Sequence, residues 1–214
     1  MSELVEKHRS LWSQKSFLWS VALGLLLLAA GLLVTYYANS YTTIHASNSV
    51  TDIILDSVPV VNVNFVLDKG AIIFMLFISV LMILEPRRIP FMLKSIAVFV
   101  VIRSLFMTLT HLAPPPYQSY IDTDAVIINR ISSGDDLFFS GHTGMPFLLA
   151  LSFWDKKWLR YIFIAMTAIG GVAVLLGHIH YSIDVFSALF ITYGIFVIAK
   201  KVFARDYLLF KAND

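Results

Sequence analysis

Long apolar runs separated by short polar breaks make up this chain, and the run lengths set the architecture. A bilayer core takes about 20 apolar residues of helix. The clearest run of that size, Phe17–Tyr37, is uncharged and rich in leucine. Five further runs follow at 70–84, 89–111, 137–154, 161–177 and 181–199. The second is short, and its pattern allows an earlier start near Phe65. The third carries Lys94 and Arg103, and the sixth carries Asp184. The reading is an all-α integral membrane protein, one domain over residues 1–214, with six transmembrane helices. The first run exceeds the apolar core of a signal peptide, about 7–15 residues, and is read as a retained span.

The polar breaks sort by charge. Lys7, Arg9 and Lys15 precede the first span, and Arg87 and Arg88 lie between the second and third. Lys156, Lys157 and Arg160 separate the fourth and fifth; Lys200, Lys201, Arg205 and Lys211 follow the sixth. The opposite breaks hold only Lys69 and Arg130 against Asp52, Asp56, Asp68, Asp122, Asp124, Asp135 and Asp136. The positive-inside rule therefore puts both termini in the cytoplasm. Two outer segments are long. The stretch 53–67 within the first is apolar enough to lie along the interface, and Pro114, Pro115 and Pro116 in the second end the third helix. Gly170 and Gly171 inside the fifth span predict close helix packing.

Composition narrows the class further. Apolar residues are 58% of the 214 and charged residues 14%, against about 45–50% and about 25% in soluble domains. A soluble enzyme, a disordered tail and a nucleic-acid binder are excluded. The net charge of +2 is too small to call for a polyanionic partner. Without cysteine there is no disulfide framework, thiolate metal site or Cys nucleophile.

Ionisable residues inside a membrane are expensive, which makes them functional candidates. The orientation places His142 about one turn into the fourth helix, His180 and Asp184 at the start of the sixth, and Arg103 two turns below His111, all in the outer half. His180 and Asp184 are four residues apart, so they share a helix face with Cβ atoms roughly 6 Å apart. The carboxylate can accept the Nδ1 proton and leave Nε2 free as nucleophile or base. In Ser140-Gly141-His142-Thr143, Gly141 lets a ligand approach the backbone, and free amides at a helix start suit an anionic oxygen. Arg103 could hold the rest of a phosphate. Together these residues describe phosphoryl transfer. Plainer roles compete: His178 as an interfacial histidine, His111 as a helix-end residue, Arg103 paired only with Asp184 or a carbonyl. His142, His180 and Asp184 would also make a zinc set, although the favoured reading uses no metal. His8 and His45 carry no signal.

The segment Asp136-Leu137-Phe138-Phe139-Ser140-Gly141-His142-Thr143 resembles the D-x3-S-G-H-T block of the sphingomyelin synthase family, a branch of the type 2 phosphatidic acid phosphatase superfamily. The segment His178-Ile179-His180-Tyr181-Ser182-Ile183-Asp184-Val185 resembles its second block, and Arg103 with Thr110 resembles its R-x6-T element. The resemblance implies six spans and a mechanism with no cofactor. His180, oriented by Asp184, would attack phosphorus and become a phosphohistidine, while His142 would act as acid and then base. It also implies substrate-binding roles for Arg103, Asp136, Ser140, Gly141 and Tyr181. Asp135 stands where the family has glycine, an extra carboxylate at the mouth of the site that bears on which head group is accepted.

The expected activity is thus a lipid phosphotransferase in a bacterial cytoplasmic membrane, its site facing the extracytoplasmic side. It would move a phosphorylated head group from a membrane phospholipid to a lipid alcohol. With water as acceptor the same triad gives a lipid phosphatase or phospholipid hydrolase. A rival of another class is a non-catalytic lipid-binding or transport protein whose Asp184 and Arg103 line a pathway. Head group, acceptor and oligomeric state are left open by the residues.

Overall fold

The computed structural model describes residues 2–119 and 137–211, and every element within them is helical. A short helix α1 (Ser2–Trp12) leads into α2 (Lys15–His45). A π-helical turn over Phe65–Lys69 runs into α3 (Gly70–Leu84), and a 3-10 turn, Pro86–Arg88, into α4 (Ile89–Leu109). After the second outer segment come α5 (Gly141–Ser152), α6 (Lys157–Leu176), α7 (Ser182–Val202) and the short α8 (Ala204–Lys211). Five stretches are long and apolar enough to cross a membrane: Lys15–His45, Phe65–Leu84, Pro86–Leu109, Lys157–Leu176 and Ser182–Val202. The protein is a membrane helical bundle, and the start near Phe65 is where the second span begins.

The expected fourth span, 137–154, differs. Its helix α5 has only 12 residues, about 18 Å at 1.5 Å per residue, against a core of about 30 Å. The apolar run continues upstream, but the backbone does not. Phe138 and Phe139 have φ of 72° and 91°, a region that non-glycine residues seldom occupy, and Ser140 is extended as the N-cap. Their rings hold them there: Phe139 is fully buried and meets Phe99 edge-on at 5.0 Å, and Phe138 stacks on Phe106 at 5.6 Å. His142 consequently lies within the first turn of α5 rather than a turn inside it.

Close approach is achieved through small residues, since apolar faces gain little from meeting each other in lipid. On α2, Gly24 faces Leu93 and Gly31 faces Val100 of α4. Both steps are seven residues in the same direction, so α2 and α4 run parallel in coiled-coil register. One turn further on, Thr35 Oγ1 and Ser104 Oγ are hydrogen-bonded at 2.9 Å. Gly144 of α5 admits Phe99 and Thr192, and Gly171 of α6 admits Val185 and Thr143. A Cβ on Gly170 would overlap the carbonyl of His142, so the glycine pair expected to bring helices together does so against α5.

Charges tie the end of the bundle that carries α1 and α8. Arg88, 1% exposed, is paired with Asp155, donates to Ser152 O and lies between the rings of Phe153 and Phe210 at 4.7 and 4.2 Å. Lys94, buried within α4, bonds Asp206 and Ser20, each at 2.6 Å. At the other end, α6 stops in a Schellman motif: His178 N–H donates to Leu175 O and Ile179 N–H to Val174 O, with Ile179 packed on Val174. The left-handed residue of that motif is His178, at φ 53°. The two remaining carbonyls of the end, Leu176 and Gly177, accept from the amides of Val61 and Ser119 in the outer segments.

Gly170→Ala is expected to lower the thermal unfolding midpoint in detergent by the equivalent of about 1–3 kcal/mol of overpacking. Gly194→Ala, where an added Cβ meets nothing within 4 Å, should be neutral or slightly stabilising. Equal effects of the two would remove the packing role given to Gly170.

Candidate active site

The chemistry gathers where α5 and α7 begin. His180 precedes α7 and is 2% exposed; Asp184 sits in its first turn with no exposure. The expected i,i+4 pair is formed: His180 Nδ1 donates to Asp184 Oδ2 across 3.1 Å. The same oxygen accepts the Tyr181 amide at 3.1 Å, so the carboxylate caps its own helix while it orients the ring. Two N–H donors on one oxygen make burying this charge tolerable. With Nδ1 committed, Nε2 is the ring's remaining nitrogen.

A backbone bond joins this turn to α5. Ser140 N–H donates to the carbonyl of Asp184 at 3.1 Å, holding the N-cap of the His142 helix against the first turn of α7. Arg103, on α4, closes the third side. Its Nε donates to Phe139 O at 3.1 Å, and a Cβ placed on Gly141 would stand 3.6 Å from that nitrogen. The guanidinium therefore lies beside the first amides of α5, a pairing suited to an anionic oxygen. His142 lies in the same turn and is partly buried.

Four buried oxygens on α5, α7 and the N-cap have no hydrogen-bond partner among the described residues: Ser140 Oγ, Thr143 Oγ1, Asp184 Oδ1 and Thr192 Oγ1. Such groups are costly unless something satisfies them. Thr143 closes the S-G-H-T block but was given no role there; the packing of Gly171 and Gly144 shows where it and Thr192 stand.

Other expected site residues fall elsewhere. Tyr181 is 1% exposed, and its hydroxyl donates to Ala113 O at 3.0 Å while accepting from Val50 N–H at 3.2 Å. It pins both outer segments to the start of α7. His178 has its ring on Val58 O at 3.2 Å and serves as the turn residue described above. His111 lies in an exposed group with Tyr41 and His45. Asp135 and Asp136 lie outside the described residues. Among those described, no three His, Asp or Glu side chains gather as a metal-ligand set.

Asp52 is the residue that the sequence did not single out. Its Oδ2 accepts the Ser182 amide at 2.6 Å, capping α7 from 130 residues away, and its Oδ1 accepts the amides of Ile54 and Leu55. Burial works to raise its carboxyl pKa, but the bonds from Ser182, Leu55 and Ile54 outweigh it and hold the group below its ordinary value. An aspartate before a tight turn is a local signal; its bond to Ser182 has none.

Residues 134–201 match a family model described as PAP2 superfamily C-terminal. The match covers less than half of the chain but includes α5, α6 and nearly all of α7, the elements that carry the His142 and His180 turns. It supports the type 2 phosphatidic acid phosphatase superfamily for this part of the molecule, and with it a lipid phosphatase or phosphotransferase type of chemistry. No curated protein and no solved structure matches the chain.

Two outcomes are expected. A carboxyl with a depressed pKa stabilises above its ordinary range and loses that contribution as pH falls through the depressed value. Thermal stability in detergent should therefore fall below about pH 4, and Asp52→Asn should flatten part of that fall; an unchanged profile would remove the cap. His178→Val should cost about 1–2 kcal/mol in the same assay because a β-branched residue resists the left-handed region, whereas His178→Asn should cost little.

Proposed function

We propose that the protein is a lipid phosphotransferase that moves a phosphorylated head group from a membrane phospholipid through a phosphohistidine on His180. The observation that carries this reading is the fully buried Asp184, which orients His180 with its side chain and holds the N-cap of the His142 helix with its backbone. The superfamily match over the same segment supports it.

In the proposed reaction, His180 Nε2 attacks the phosphorus while the bond to the diacylglycerol oxygen breaks, and His142 protonates that departing oxygen. Asp184 offsets the positive charge that develops on the His180 ring. Arg103 and the amides at the start of α5 bind the phosphoryl oxygens, where negative charge accumulates in the transition state. His142, now neutral, takes the proton of an incoming hydroxyl, whose oxygen displaces His180. One difficult displacement becomes two easier ones, with a single group serving as acid and then base. The basic residues at the α1 and α8 end support a cytoplasmic position for that end under the positive-inside rule, with the proposed site then facing the extracytoplasmic side.

The purified protein, incubated with radiolabelled phospholipid with and without an added lipid alcohol, should place label on the alcohol. Release of free head-group phosphate alone would identify water as the acceptor and a hydrolase in its place. His142→Ala and His180→Ala should abolish turnover, and Asp184→Asn should lower it on the order of 10⁴-fold. A wild-type protein that binds phospholipid without any turnover, equally in all three variants, would leave the transport reading standing.

A further inference from the structure

The opposite end of the bundle holds a second polar feature. A cavity of about 520 Å³ lies between the start of α2, Lys94 on α4, the end of α7 and α8. Lys94 is nine residues before Arg103 on α4, about 14 Å along the axis, so this cavity and the candidate active site lie at different membrane depths.

Its lining mixes two chemistries. Phe17, Trp19, Val202 and Leu209 are apolar, and Trp19 and Val202 are 76% and 66% exposed. Lys94 and Arg205 line the same space. Lys94, only 4% exposed, spends its charge on Asp206, and Ser20 links the two. Arg205 is exposed and forms no ion pair with any described carboxylate. The lining therefore carries two positive charges against one negative. The amides of Ser16 and Phe17 in the first turn of α2 have no acceptor within the helix, and both residues line the same space. A surplus cation, a buried ammonium and free amides at a helix start, lining one space with exposed apolar side chains, describe an amphiphile with an anionic head.

We propose that this cavity binds the head-group phosphate of an anionic phospholipid in the leaflet opposite the candidate active site. The phosphate sits against Arg205 and the Ser16 and Phe17 amides, and an acyl chain leaves past Trp19 and Val202. Basic pockets between helices at the membrane surface recognise anionic lipids in this way. The lipid would bridge α2 to α8 beside the Lys94–Asp206 pair and so anchor the C-terminal helix to the bundle.

The test uses the full chain in detergent, titrated with phosphatidylglycerol or with phosphatidylcholine of the same chains and read by native mass spectrometry. A His180→Ala background prevents turnover from removing lipid, so the outcome does not depend on the proposed reaction. One phosphatidylglycerol should bind with about tenfold preference over phosphatidylcholine. Arg205→Gln, a surface change that spares the fold, should reduce the preference about fivefold, the attraction of one basic side chain. Lys201→Gln, at the same end but outside the cavity, and Arg103→Gln, at the other site, should leave it unchanged. Absence of preference, equal loss in Arg205→Gln and Lys201→Gln, loss in Arg103→Gln, or displacement of the lipid by inorganic phosphate would each overturn the proposal.

Discussion

A carboxylate with no exposure, set in an apolar bundle, is the constraint around which this protein is built. Removing an ionised group from water costs several kcal/mol even after relaxation, so Asp184 requires donors within reach. His180 and the Tyr181 amide supply them to one oxygen. The demand then spreads. The first turn of α7 has to start at Ser182, which Asp52 secures from the first outer segment. The chain before it has to reverse sharply, which His178 does by entering the left-handed region. The carbonyl of Asp184 is left to accept Ser140, and that bond brings in α5. One buried charge thus organises two helix starts and two outer segments.

The bundle admits this arrangement because its helices come close where side chains are small. Gly170 lies under the His142 carbonyl, and Gly144 lies between Phe99 and Thr192. The backbone of α5 is therefore held from two sides at the level of the candidate site, and Arg103 reaches it from a third. A short helix that begins inside the bundle presents its first amides there rather than at the surface. An irregular backbone at membrane depth is tolerated only where protein or a polar cavity surrounds it, and the two aromatic residues before Ser140 supply that cover with fully or partly buried rings.

Local periodicity made the His180–Asp184 pair legible, because a spacing of four on a helix fixes the neighbour whatever the rest of the fold does. Apolar run length likewise revealed five of the long helices. It overstated the fourth, since hydropathy at 137–140 says nothing of positive φ at Phe138 and Phe139. The role of Asp52 stayed hidden for a different reason: its partner Ser182 is 130 positions away, and Asp52 itself belongs to no motif. Tyr181 sat inside a recognisable block, yet its hydroxyl is spent on Val50 and Ala113. Type and position in a motif were readable; the direction a side chain takes was not.

The parallel pairing of α2 with α4 bears on how the molecule sits in its bilayer. At 31 residues, α2 is about 46 Å long, well beyond the hydrocarbon thickness, and a helix of that length leans or protrudes. Because Gly24 and Gly31 seat Leu93 and Val100, α4 shares whatever inclination α2 takes. Bilayer thickness, where it tilts α2, therefore acts also on the helix that carries Arg103.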